Sequence, residues 1–237
     1  MQNLNTAPQA LTDVKIEINL DELIAKLQTG STRPEIVATA KTTLERVNNI
    51  WNPAIVYRWL PIKQSEKEPE KSVIQSDEPV DLDLGHSSIF IKDASYALIA
   101  AFSAGDEIEK ETQRASDSKE ILISFILDLI GLLVLEKAGD MVKEIAEEQA
   151  RELGWGVSPF LSPGSIHGWE LEDQLKLCPL LPLDKIDLQI REDAVLMPFK
   201  SLSCLIGIGA GYETTKVGTT CQVCSKNETC QMRQSTL

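Results

Sequence analysis

The chain has 237 residues, enough for one large domain or one domain with an arm, and enough to bury a real core. Apolar residues make up 43% and charged residues 25%, the balance of a globular chain. With 36 acidic against 23 basic residues the net charge is -13, which repels phosphate backbones and argues against nucleic acid and anionic membrane as partners. A basic protein surface or a cationic small molecule suits this charge better.

The opening stretch "MQNLNTAPQALTDVKIEI" has neither the basic nor the apolar region of a signal peptide. A cytoplasmic location is therefore expected, with the five cysteines serving as ligands or thiols rather than disulfides. Residues 19–28 predict a short amphipathic helix with Leu20, Leu23, Ile24 and Leu27 on one face, capped by Asn19 and Glu22. Thr32 and Glu35 bracket a second helix with Pro34 in its first turn. "AIVYRWLPI" (54–62) predicts a strand, so residues 1–62 form a helical arm leading into the first strand. Residues 63–79 are polar, charged and carry two prolines, which predicts a linker or loop before a core spanning 80–212.

Within that core "SYALIAAFSAG" (95–105) predicts a buried strand ending at Gly105. The pattern turns helical from Asp106, breaks near Ala115–Ser118, and resumes as a long helix over Lys119–Leu153. Its segment "ILISFILDLIGLLVLE" is shorter than the roughly 20 apolar residues a membrane span needs, and Asp128 lies inside it, so a central core helix is expected. An acid there must be paired or face a cavity, which leaves Asp128 and Glu136 as either ion-pair partners or ligand-facing carboxylates. "KIDLQI" and "KSLSCLIGIG" predict further strands. "GIGAG" (207–211) lacks the third glycine and the helix of a dinucleotide fingerprint and reads as a strand exit. Strands and helices without a regular alternating rhythm predict an α+β fold around an antiparallel or mixed sheet.

Three groups carry potential chemistry. In "LSPGSIHGWELEDQ" (161–174) a Ser-Pro-Gly turn precedes a tryptophan and three carboxylates, a stretch too polar for a core and too ordered in pattern for a spacer. In the tail, 213–237, Cys221, Cys224 and Cys230 form C-x2-C-x5-C, which suits zinc or an iron–sulfur cluster with a fourth ligand from Cys178, Cys204, a histidine or an exogenous group; free thiols or a redox pair are the alternative. His86 and His167 are the only histidines, and neither sits in a catalytic triad motif or in the D-x-H-x-x-G pattern of corrinoid proteins.

The order of "NPAIVYRWLPI" (52–62), the Asp128…Glu136 spacing, "SPG….W.LEDQ" (162–174) and "MPFKSLSCLIGIG" (197–209) resembles the activation domain of cobalamin-dependent methionine synthase, in its stand-alone form. The cysteine tail resembles that of stand-alone members, and the likeness spans about Ile16 to Arg233. The resemblance implies an α+β fold with a curved antiparallel or mixed sheet flanked by helices, and a groove for S-adenosylmethionine. It further implies docking over an oxidised cobalamin, which electron delivery and methyl transfer return to methylcobalamin. On this likeness Ser162, Pro163 and Gly164 shape the groove wall, Trp169, Glu170 and Asp173 lie beside it, and Asp128 and Glu136 face it from the long helix. The family has R-x-x-P-G-Y at the turn, whereas this chain has Phe160 and Ser165 at the arginine and tyrosine positions. Phenylalanine cannot replace an arginine fork on a carboxylate.

The chain has no cobalamin, folate or homocysteine module, so it is expected to be a component and not a complete methyltransferase. Three roles follow: an accessory activator for a corrinoid methyltransferase component, with cobalamin held only by that partner; an assembly module that has lost its ligand; or a redox protein using a cluster in the tail. A homo-oligomer is compatible with the sequence.

Overall fold

The computed structural model describes residues 4–27, 33–48, 50–65 and 67–218. The arm contributes strand β1 (Gln9–Leu11) and helices α1 (Leu20–Lys26) and α2 (Pro34–Arg46). The capping box starts α1 as expected: Asn19 Oδ1 accepts from the Glu22 amide at 2.9 Å, and the Asn19 amide donates to Glu22 Oε2 at 3.2 Å. Thr32 lies outside the described residues, and α2 opens directly at Pro34.

Strand β2 (Ala54–Gln64) is followed by β3 (Lys71–Ile74), β4 (Val80–Asp83) and β5 (Tyr96–Ser103). The polar stretch 63–79 thus contains the end of β2 and all of β3, with Ile62↔Ile74 and Gln64↔Ser72 in register. Its charged composition hid a hairpin whose strand β3 buries only Ser72 and Ile74. Helix α3 (Glu107–Asp117) and the 33-residue helix α4 (Ile121–Leu153) come next, the break between them marked by Lys119 at φ 61°. Gly154, at φ 68°, ends α4 in the left-handed conformation that favours glycine.

The chain continues through β6 (Gly156–Val157), the single-turn helix α5 (Gln174–Leu177), the small hairpin β7 (Gln189–Ile190) and β8 (Leu196–Met197), and β9 (Ser201–Gly209). The predicted strand over "KIDLQI" shrinks to β7, because Asp187 takes a left-handed φ of 52° and interrupts it. "GIGAG" is the exit of β9, as expected.

The sheet has the order β4-β3-β2-β5-β9-β6, with β1 sharing the outer edge of β2, and every pairing is antiparallel. Alternation along the strands builds two cores. Ile55, Trp59, Leu98, Phe102, Cys204 and Ile206 face α4 together with α1 and α2. Val56, Leu60, Ile99, Ala101 and Leu205 face the opposite way, onto Leu161, Trp169, Leu177 and Leu188. No helix among the described residues is long and apolar enough to cross a membrane, and the apolar run of α4 is spent on the first core.

Candidate functional site

Two groups of side chains singled out in the sequence lie on opposite faces of the sheet. On the irregular face, Ser162 Oγ donates to Ser203 O at 2.8 Å and Gly164 N–H donates to Trp169 O at 2.8 Å, closing the turn. Gly164 sits at φ +75° with the Leu171 side chain 3.2 Å from where a Cβ would stand, so glycine fits both the angle and the space. Trp169 is 1% exposed and Pro163 is buried beneath the turn. The indole N–H donates to Asp173 Oδ2 at 2.9 Å, and the same oxygen accepts from the Asp83 amide at 3.3 Å. Asp173 Oδ1 pairs with Lys176 at 2.6 Å. This carboxylate therefore fastens three segments, and the indole belongs to the core. Glu170 is exposed.

Around the turn, Gly85 and Gly168 come together so closely that a Cβ on Gly85 would lie 3.0 Å from the Gly168 carbonyl oxygen. The two histidines stack beside them at 6.1 Å between ring centroids. Ser203 Oγ donates to Gln174 Oε1 at 2.8 Å, and Gln174 Nε2 donates to Ala194 O at 2.7 Å, a buried chain that ties α5 to β9. Cys178 beside it is buried, and burial pushes its thiol up to about 11.

On the helical face, three carboxylates of α4, Asp128, Glu136 and Glu147, are each met by a lysine from elsewhere in the chain. Asp128 pairs with Lys200, whose side chain is 8% exposed and whose stem crosses Gly131. Glu136 pairs with Lys26 of α1 at 2.6 Å. Eight helical residues separate Asp128 from Glu136, about 12 Å along the axis, so the two cannot grip one atom. The sequence offered a choice between ion pair and ligand-facing acid, and both residues form ion pairs. The turn 162–173 and these two acids do not line a common groove, because the sheet lies between them.

One surface was not legible in the sequence. Phe160 packs edge-on against Phe102 at 6.4 Å, with Lys143 Nζ 5.9 Å above its ring and Asp140 accepting from Lys143 at 2.8 Å. Next to it Glu147, 8% exposed, accepts from the Val217 amide at 2.9 Å and from Lys216 Nζ at 2.5 Å. Only the helical spacing 140, 143, 147 hints that these side chains share a face. At the other end of α4, a cleft of about 450 Å³ lies between α3 and the β7–β8 hairpin, lined by Asp106, Glu109, Asp187 and Met197 among others. Among the described residues no group of three or more potential metal ligands forms. Cys221, Cys224 and Cys230 lie outside the described residues.

No protein-family model and no curated protein sequence matches the chain. Its fold is similar to that of a solved structure described as the MetH reactivation domain bound to AdoHcy, with a TM-score of 0.63, over 88% of this chain and 81% of that one, at 11% identity. The α+β architecture expected from the sequence, an antiparallel sheet with flanking helices, is therefore the architecture of that reactivation domain.

Proposed function

We propose that the chain is an accessory protein that binds S-adenosylmethionine, or its demethylated product, and supports reductive methylation of cobalamin held by a corrinoid partner. The observation that carries this reading is the shared fold over 88% of the chain with a reactivation domain bound to AdoHcy. The ordered sequence motifs from residue 52 to 209 agree with it. In such a reaction a reduced cobalamin takes the methyl group from the sulfonium and leaves S-adenosylhomocysteine; the protein's part is to hold and orient the donor.

The face around Phe160 suits this ligand best. Asp140 and the exposed Glu144 offer carboxylates to a sulfonium, and Lys143 offers a cation to the carboxylate of the methionyl part. Lys143 thus supplies charge where the family's arginine is replaced by Phe160. For the partner, Ile121, Phe125 and Phe199 stand 68%, 50% and 67% exposed around the Asp128–Lys200 pair and would serve a docking surface.

Calorimetric titration with S-adenosylhomocysteine tests the reading. Saturable binding that Lys143→Ala weakens about tenfold or more, as loss of a charge-assisted contact does, supports it. A flat titration at millimolar ligand sinks the ligand half. A second reading, an assembly module without ligand, is favoured by Phe160 and Ser165 at the turn. It expects no heat from the ligand, yet a corrinoid protein that is bound by the native chain and lost with Phe125→Glu.

A further inference from the structure

Strand β6 is an outer strand of the sheet, and only one of its edges meets β9. The other edge is covered by the chain's own residues 212–218. Val157 N–H donates to Thr214 O at 2.8 Å, and three residues further on Phe160 N–H donates to Gly218 O at 3.3 Å. The covering segment lies directly on the backbone of β6: a Cβ on Gly156 would stand 2.5 Å from the Tyr212 carbonyl oxygen and 2.6 Å from that of Thr214.

Little apolar burial holds this segment. Residues 213–216 are exposed, and Val217 is only partly buried. Its fastening is polar: the Tyr212 hydroxyl donates to Phe90 O at 2.7 Å, and Glu147 takes both the Val217 amide and the Lys216 ammonium. Glu147 is a buried acid on the core side of α4, and its two oxygens are served by this segment alone among the hydrogen bonds described. A segment with few buried contacts, held by a handful of polar bonds of which only those to Glu147 are to a charged group, belongs to the low end of local stability.

We propose that residues 212–218 form a latched strap that opens as a unit while the sheet and α4 stay folded, with Glu147 as the latch. Opening frees the Val157 and Phe160 amides, two edge donors of the kind that an added extended segment or a ligand carboxylate takes. The claim that a small-molecule ligand competes with the strap rests on the proposed S-adenosylmethionine site beside Phe160; the opening itself does not.

Lys216 makes the opening measurable, because trypsin cuts after it and cleavage of a transiently opened segment follows the open population. The full chain would be compared as wild type, Glu147→Gln and Gly156→Ala, the last pushing the strap off sterically. Glu147→Gln should raise cleavage at Lys216 about tenfold, the effect of losing one charge-assisted hydrogen bond. Exchange of the Val157 and Phe160 amides should quicken by the same factor while the β5–β9 ladder keeps its protection. Cleavage that stays unchanged in both variants, or that rises only in step with exchange in the β5–β9 ladder, overturns the latch. Titration with S-adenosylhomocysteine then decides competition. Tighter binding in Glu147→Gln supports it, and equal or weaker binding despite faster opening overturns it. If no form binds, the ligand reading and the competition fall together, and cleavage with exchange still decides the latch.

Discussion

One face of the sheet is buried mainly by a 33-residue helix with α1 and α2 beside it, the other mainly by irregular chain between β6 and β9, and the two rely on different means. Under α4 many aliphatic side chains, from Ile126 to Ala150, share the burial. On the irregular face a few points bear it: Trp169 with Asp173, the glycines at 164 and 168, and the Ser203–Gln174 link. A helix distributes its contribution because each turn repeats the last. A loop layer has no internal ladder, so its backbone must be fastened one hydrogen bond at a time.

That contrast predicts unequal costs. Trp169→Ala removes a fully buried indole and strips Asp173 of a donor, which should cost about 3–5 kcal/mol. Ile130→Val on the helical face should cost about 0.5–1.5 kcal/mol. For a chain of this size 1 kcal/mol is worth roughly 2–4 °C, so the thermal midpoints of the two variants should separate by several degrees or more. Equal shifts would break the comparison. Trp169→Phe sharpens it: a loss of about 1–3 kcal/mol despite the retained aromatic ring would isolate the indole's hydrogen bond to the Asp173 carboxylate.

Next in size is the Asp128–Lys200 pair. Lys200 is 8% exposed on its side chain and Asp128 46%, so removing the acid leaves a nearly buried ammonium without its partner. Solvent reaches the acid's side, so Asp128→Asn should cost about 2 kcal/mol, below the 3–5 kcal/mol of a fully buried pair. Lys200→Met should cost less than Asp128→Asn, because it leaves no buried charge behind. Urea unfolding of both variants measures the order, and a larger loss for Lys200→Met would contradict the account.

The irregular face can also be tested by pH. Burial holds the Cys178 thiol protonated up to about 11, against an ordinary 9. The folded state therefore keeps a proton that the unfolded state releases. This contribution is fully present below about pH 9 and is lost as pH rises from 9 towards 11, at about 1.4 kcal/mol per pH unit. Burial pushes the Cys204 thiol up as well, on the helical face. Cys178→Ala should make the decline in stability above pH 9 shallower than in the wild type. Parallel declines would mean that Cys178 gains a proton partner or water that its burial conceals.

The same contrast explains what could be read from the sequence. The capping box of α1, the break before α4, the core role of α4 and the long strands β2, β5 and β9 all follow from period and cap, which are local. Acids in the apolar run of α4 call for a partner or a cavity, but Lys26 and Lys200 come from 110 and 72 residues away, and no pattern announces such distances. The turn 161–174 looked like a surface wall because its composition is polar. In fact Asp173 and Ser162 spend their polarity on internal bonds that let the chain cross a core. Composition reports how many polar groups a segment has, not whether they face water or each other. Phe160 stands out in the sequence as a missing arginine, whereas Lys143 and Glu147 beside it do not, since they sit among the many charges of α4.

The smallest effect expected is that of Glu136 with Lys26, and it separates two roles for one residue. The carboxylate is 39% exposed and its partner 19%, so solvent screens the pair and the coupling measured by a double-mutant cycle should fall at or below about 1 kcal/mol. The pair joins α1 to α4, so its loss should loosen the arm first, seen as faster exchange of α1 amides with the sheet unchanged. A ligand-facing acid would behave otherwise. Glu136→Gln would then weaken S-adenosylhomocysteine binding while Lys26→Ala left it intact, since only the carboxylate would touch the ligand. With Lys26 already on the carboxylate, and Lys143 about 10 Å further along α4, the two variants should instead act alike, small on stability and silent on binding.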